Sequence, residues 1–237
     1  MAGSSQRRAA TRLKPEVRMA DIMRVARDIF RERDYEDVLI SEIAERAQVV
    51  EGTLYRYFES KRDLLVKVAE AWFEEMLADF DVQLVGVRGT RNRLRFMIWK
   101  HLATIEREPA LCRIVFRELR SGADYRGTTV FQLNREYTRR TMSIIDDGIA
   151  AGEFRAGLSL PLVRDMIYGC VEHHTWAYLR GQGKLTPAAT ADAITDLLFQ
   201  GIAVQEYPLS SNRRDATLDR LDQLVDRIER ATKPRGR

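Results

Sequence analysis

Apolar residues recur at intervals of three and four along nearly the whole chain, and no stretch alternates apolar and polar positions as a half-buried strand does. The spacing predicts a first helix over 15–33, opened by Pro15 and Glu16, with Ile22, Val25, Ile29 and Phe30 turned inward. A long helix is predicted over 61–85, capped by Ser60, with Leu64, Leu65, Val68, Trp72, Met76 and Phe80 as its stripe. After Gly86 and Gly89 the pattern predicts helices over 90–107, 110–120, 128–151, 160–179 and 187–204, punctuated by Gly and Pro. Only helices are predicted and there is no internal repeat, so the expected fold class is all-α.

Between the first helix and the long one, residues 38–65 read differently. Ile40, Ile43, Ala44 and Ala47 give a short helix an apolar face, with Ser41, Glu42, Glu45 and Arg46 opposite. A second short helix begins near Glu51 and has only Leu54 and Phe58 as inward anchors, which leaves its outer face free. That face carries Gly52, Thr53, Tyr55, Arg56 and Tyr57, with Lys61 just beyond. Such residues suit a nucleic acid. Gly52 and Thr53 at the helix start permit close approach to a phosphate, two phenols and the Lys61 ammonium offer phosphate contacts, and Arg56 has the reach for a base edge.

These residues resemble the helix-turn-helix of the tetracycline-repressor (TetR) family of bacterial transcriptional regulators. The match runs through Ile43-Ala44, Gly52-Thr53-Leu54-Tyr55, Tyr57-Phe58, Lys61 and Leu64-Leu65, and upstream through Ile22, Val25, Ala26, Ile29, Phe30 and Tyr35. The resemblance implies an N-terminal three-helix DNA-binding domain (15–60), which a long helix joins to a helical effector-binding and dimerisation domain (61–209). It also implies a ligand-responsive repressor acting as a homodimer on a double-stranded operator, with the helices from Leu160 and Pro187 as the dimer seam. Ser41 joins the DNA-facing set. The chain departs from the family pattern at Asp34 and Gln48, where Gly is common, and at Val38 and Val50, where a hydroxyl residue is common. Asp34 would tolerate a left-handed backbone. With the hydroxyl caps absent, either Asp37 caps the first short helix a residue early or that helix starts frayed.

The net charge of +4 over 237 residues is local rather than general: Arg7, Arg8, Arg12 and Lys14 lie in a basic arm (1–14) without an acid, and the rest of the chain balances. Read alone the arm is a solvated tail; ahead of a helix-turn-helix it suits phosphate or minor-groove contacts. The segment 210–237 exceeds the usual family length, and Leu218, Leu221, Val225 and Ile228 give it one more helix with a narrow apolar seam. No run nears the roughly 18 apolar residues of a membrane span, no signal peptide is expected, and Cys112 and Cys170 suggest no disulfide framework. Cytoplasm, with no membrane partner, is the expected compartment.

For the effector pocket the candidates are polar or polarisable residues on apolar faces. His101 lies between Ile98 and Ile105, Asn134 between Val130 and Thr138, and His174 on a line running Val163, Ile167, Cys170, His174, Tyr178. Each reads either as a hydrogen-bonded core residue or as a ligand contact. Met76, Met97, Phe131, Tyr137 and Met166, with Phe73 and Phe80, would supply apolar walls. Arg113, Arg117 and Arg120 form a basic face that an acyl-coenzyme A would find useful and that otherwise is simply solvated. A metal held by Cys170, His174 and His101 lacks a recognisable ligand string, and no other cofactor is expected. An enzyme would need a nucleophile and base, a phosphate loop or a metal string, and none stands at a recognisable spacing. A constitutive accessory DNA-binding protein without an effector remains the alternative within the DNA-binding class.

Overall fold

The computed structural model describes residues 14–204. The basic arm with Arg7, Arg8 and Arg12 and the helix predicted over 212–232 lie outside the described residues.

The chain begins with α1 (Pro15–Glu32), in which Pro15 supplies the preset φ of a first turn and Ile22, Val25, Ala26, Ile29 and Phe30 are buried. A single 3-10 turn (Tyr35–Asp37) leads to α2 (Ile40–Arg46) and α3 (Glu51–Leu54). Neither short helix has a side-chain cap: Leu39 and Val50 hold the cap positions, and Asp37 does not reach back to serve as one. Val38, where a hydroxyl was missed, is instead 1% exposed and belongs to the core with Ile43, Leu54 and Phe58. Packing therefore holds α2 and α3 in place of caps.

The two departures at glycine positions have different outcomes. Asp34 is extended, at φ −69°, so no left-handed tolerance is called on there. Gln48, in the turn between α2 and α3, does sit at φ 54°, where a side chain costs roughly 1–2 kcal/mol. Gln48→Gly is expected to raise the unfolding free energy by about 0.5–1 kcal/mol, the gain being trimmed by glycine's freer unfolded chain. Urea titration of the two proteins checks this, and an unchanged or lower midpoint would show that Gln48 has a stabilising contact in its place.

Helix α4 (Lys61–Leu84) is capped by Ser60, whose hydroxyl accepts from Asp63 N at 3.1 Å, while Asp63 accepts from Glu59 N at 3.0 Å. Its N-terminal half buries Leu64, Leu65 and Val68 beneath the first three helices, and its second half buries Trp72, Phe73, Met76 and Phe80 in the body. The body comprises α5 (Thr90–Arg107), α6 (Pro109–Ile114) running into a π-helical turn (Val115–Leu119), α7 (Thr129–Ala150), α8 (Leu160–Leu179) and α9 (Pro187–Ile202). Helix α5 packs along α9, tied by Arg95–Asp192 at 3.0 Å and by Arg91–Asp196, and α7 packs on α4 and α5. A Cβ on Gly148 would collide with the Phe154 ring, so the end of α7 needs glycine for close approach. The only extended pairing among the described residues is an isolated antiparallel bridge between Phe154 and Ala203. No helix among them is long and apolar enough to cross a membrane.

Candidate DNA-reading helix and effector cavity

Leu54 and Phe58 are the buried anchors of the α3 segment, at 1% and 3% exposure. They turn Glu51, Gly52, Tyr55 and Arg56 to solvent, as Ser41 is on α2, with Thr53 and Tyr57 half-buried. A Cβ on Gly52 would meet nothing within 4 Å, so the fold itself does not demand glycine there. One N–H expected at the helix start is already engaged, since Thr53 N donates to Val50 O at 2.8 Å. Lys61 sits differently from its predicted place among phosphate contacts. Its ammonium donates to Tyr35 O at 2.8 Å and Val38 O at 3.0 Å and lies 4.3 Å from the centroid of the Tyr35 ring. Two of its three donors thus tie the start of α4 to the α1–α2 connection, a structural duty that spacing alone did not reveal.

In the body, α4, α5, α6, α7 and α8 surround a cavity of about 930 Å3. Of the predicted pocket residues it brings together Met76, His101, Phe131, Asn134 and Tyr137. Met97 is 2% exposed in the core beneath them, beside a small internal void that it shares with His101 and Tyr168. Met166, Cys170 and His174 do not reach the cavity. The buried line on α8 is Val163, Ile167, Val171, Thr175 and Leu179, strict steps of four, which leaves these three on a neighbouring, exposed face. The predicted line slipped a residue at Cys170; Val171 and Leu179 were the more apolar choice and carried the true register. Tyr178 is half-buried at the end of α8, where its hydroxyl donates to Glu106 O at 3.1 Å. A metal shared by His101, Cys170 and His174 within one chain is therefore ruled out by their facing apart.

The wall has a gradient. Its buried members are apolar: Trp72, Phe73, Met76, Cys112 and Tyr137 are all 6% exposed or less. Its exposed or half-buried members include Arg120, Arg126, Arg135 and Arg164, with Asp165 and Glu172. Arg120 pairs with Glu172 and Arg164 with Asp165, both at 2.8 Å, whereas Arg126 and Arg135 have no carboxylate partner among the described residues. Four guanidiniums against two carboxylates leave the opening net positive. Of these arginines only Arg120 was singled out in the sequence; the others lie on separate turns of separate elements, and only the fold assembles them.

Hydrogen bonds line the interior between these ends. Tyr137 is hydrogen-bonded to His101 Nδ1 at 3.1 Å, and Tyr168 to Thr141 Oγ1 at 2.7 Å. Burial, with a smaller push from the Arg120 charge, lowers the His101 pKa to about 4, and burial raises both phenols. The imidazole and the phenols are all neutral at pH 7.

One segment joins the cavity to the DNA-reading unit. Phe116 in the π-helical turn and Arg120 just after it face the cavity, while Glu118 O in the same turn accepts from Arg62 Nη1 of α4 at 2.6 Å. One turn earlier, Arg113 donates to Asp34 at 2.6 Å and to Leu179 O at 2.8 Å. Just before α6, Glu108 is held by Arg27 and Arg31 of α1. Helix α6 and its π-helical turn thus touch α1, α4 and the ligand-sized space at once, and π-helical turns are frequent where helices are put to functional use.

This arrangement defines a helix-turn-helix protein whose reading unit is mechanically continuous with a ligand-sized internal cavity. The family comparisons agree: residues 22–68 match the model "Bacterial regulatory proteins, tetR family" and residues 88–202 match "Tetracyclin repressor-like, C-terminal domain". The chain belongs to the TetR family of regulators. It is 24% identical over 181 residues to the fatty acid metabolism regulator protein of Bacillus subtilis, covering 76% of this chain and 93% of that one. It is 21% identical over 191 residues to the HTH-type transcriptional repressor KstR2 of Rhodococcus jostii, covering 78% and 91%. A crystal structure of the regulator FadR from Bacillus subtilis in complex with stearoyl-CoA superposes with a TM-score of 0.68 at 25% identity, over 77% of this chain and 98% of that one.

Proposed function

We propose that the protein is a homodimeric transcriptional repressor that leaves its operator when an acyl-coenzyme A thioester occupies the cavity. The observation that carries this reading is the gradient of the wall: aromatic and sulfur-bearing side chains at depth suit an acyl group, and unpaired Arg126 and Arg135 at the opening suit phosphates. The Bacillus subtilis neighbour bound to stearoyl-CoA supports the same ligand class. Two-fold pairing is supported by the exposed stripe on α8 and α9, where Leu162, Met166 and Leu197 are 54–69% exposed. Cys170 and His174 fall on that stripe rather than in a pocket. The mechanism is a population shift. An ester that fits best when the α6 segment is displaced pulls on the contacts through Arg62, Arg113 and Glu108, and so changes the spacing of the two reading helices. The relatives' names as regulators favour this role over an enzyme.

The test is fluorescence anisotropy of the protein on DNA from upstream of its own gene, with stearoyl-CoA, stearate and free coenzyme A as separate additions. Release by the ester alone, at concentrations where stearate and coenzyme A do nothing, is the expected result. Unchanged DNA binding together with an unshifted thermal midpoint for all three would overturn the effector reading and leave the accessory DNA-binding protein.

On the DNA side, Tyr55→Phe is expected to weaken binding to every sequence by a similar factor of about 3–10, as the loss of one phosphate contact does. Arg56→Ala is expected to flatten discrimination at one operator position by about 1–3 kcal/mol. Equal losses for Arg56→Ala across an operator-variant panel would assign it to the phosphates instead. Lys61→Ala is expected to act chiefly on stability, through its two carbonyl partners.

A further inference from the structure

Among the described residues two buried side-chain polar atoms lack a hydrogen-bond partner, Trp72 Nε1 and Tyr125 Oη, and both side chains line the same cavity. They come from different elements, α4 and the turn (Tyr125–Gly127) before α7, so no single local distortion accounts for both. Buried donors left unpaired are disfavoured enough that native folds rarely keep them without a reason.

The two stand at different ends of the cavity. Tyr125 precedes Arg126 and packs edge-on against Phe131 with ring centroids 5.3 Å apart, at the arginine-bearing end. Asn134 is its polar neighbour, close enough to interact with the phenol, so Trp72 Nε1 is the more isolated of the two atoms. An amide carbonyl of the pantetheine arm, which separates the phosphates of coenzyme A from its thioester, would satisfy the Tyr125 hydroxyl whatever acyl group followed. Trp72 is 4% exposed among the apolar residues and also borders the cleft around Arg27 and Glu108, so it stands at the end toward α1. An indole N–H can only donate. A plain saturated chain has nothing to offer it.

We propose that the effector's acyl group carries an oxygen acceptor, a carbonyl or hydroxyl distal to the thioester, that takes the Trp72 N–H as the wall around it opens to the ligand, so that the cavity selects an oxygenated acyl skeleton over a saturated one. This rests on the acyl-coenzyme A reading and adds the ligand's functional group. It also puts the recognition of that group on α4, the helix that carries the reading unit.

The experiment is calorimetric titration of the full-length protein with stearoyl-CoA and with a series of oxo-stearoyl-CoA esters that differ only in the position of the oxo group. The expected result is that one distal position binds about tenfold more tightly than stearoyl-CoA, and that in Trp72→Phe the ratio of the two affinities, whatever the change in each, falls to about twofold or less. Oxo esters that bind no better than stearoyl-CoA at any position, or a preference that survives Trp72→Phe, would overturn the proposal while leaving the acyl-coenzyme A reading intact. Failure of every ester to bind would overturn that reading and this proposal with it. The ligand series on the unmodified protein decides the matter even where the variant does not fold.

Discussion

Glu108→Ala is expected to lower the free energy of unfolding by about 3 kcal/mol, the low end of the range for breaking a buried ion pair from one side. Glu108 is the residue between α5 and α6, and its side chain is 2% exposed. Arg27 donates to it at 3.0 and 3.4 Å, Arg31 Nε at 3.1 Å, and Arg107 Nε lies 3.6 Å away. Removing the carboxylate leaves the Arg27 guanidinium, 17% exposed, with only Glu75 at 2.6 Å to balance it. Arg31 is 40% exposed and rehydrates, which keeps the loss from being larger. Glu108→Gln, which keeps the shape and loses the charge, is expected to fall between. Because these bonds cross from the body to α1, the alanine variant should also loosen the reading unit from the body, and urea unfolding followed by circular dichroism would show a broadened or split transition. A loss below about 1 kcal/mol with one sharp transition would mean that the arginines find water as easily as they hold Glu108.

How such a cluster escapes a reading of the sequence is instructive. Arg27, Arg31 and Glu108 look like ordinary charges on the polar faces of two helices, and only the packing of α1 against α6 makes one of them a buried hub. The same holds for Lys61 on its two carbonyls and for Arg126, Arg135 and Arg164 around one opening. Long-range assembly of polar groups leaves no periodic trace. The helices themselves were legible because apolar spacing and Pro or Gly punctuation are local: α5 and α8 begin and end where the pattern places them. The reading unit was legible for a further reason, since a surface helix with just two apolar anchors must present the remainder of its residues outward. On α8 the pattern misled, because Cys170, His174 and Tyr178 mimic an amphipathic line one step away from the real one. The missing cap at Val50 was also legible, whereas the cap position of α2 falls at Leu39, one residue after the Val38 to which the pattern points, and the burial of Val38 was not legible.

Stability is expected to fall by about 3 kcal/mol between pH 6.5 and pH 4 through His101 alone. Its imidazole lies among Tyr137, Tyr168 and the cavity wall, with ring centroids 5.6 and 5.3 Å from the two tyrosines, and burial pushes its pKa down from 6.5 to about 4. The sign follows from which state takes the proton. Below pH 6.5 the unfolded chain protonates His101 while the folded chain refuses until about pH 4, so acid favours unfolding across that window and the effect is complete below it. The carboxylates with lowered pKa values, Asp79 beside Lys100, Asp81 beside Arg140 and Asp192 beside Arg95, lose their contribution only as pH falls below the ordinary carboxylate value of 3.8, outside most of the window. His101→Gln retains a hydrogen-bonding side chain for Tyr137 and cannot titrate, so urea unfolding at pH 7, 6, 5 and 4 isolates the histidine as the difference between the two curves. The curves should converge toward acid, the variant losing about 3 kcal/mol less than the native protein. Parallel curves would show that the cavity admits enough water to solvate an imidazolium, and with it that the space beside His101 is wetter than an acyl group requires.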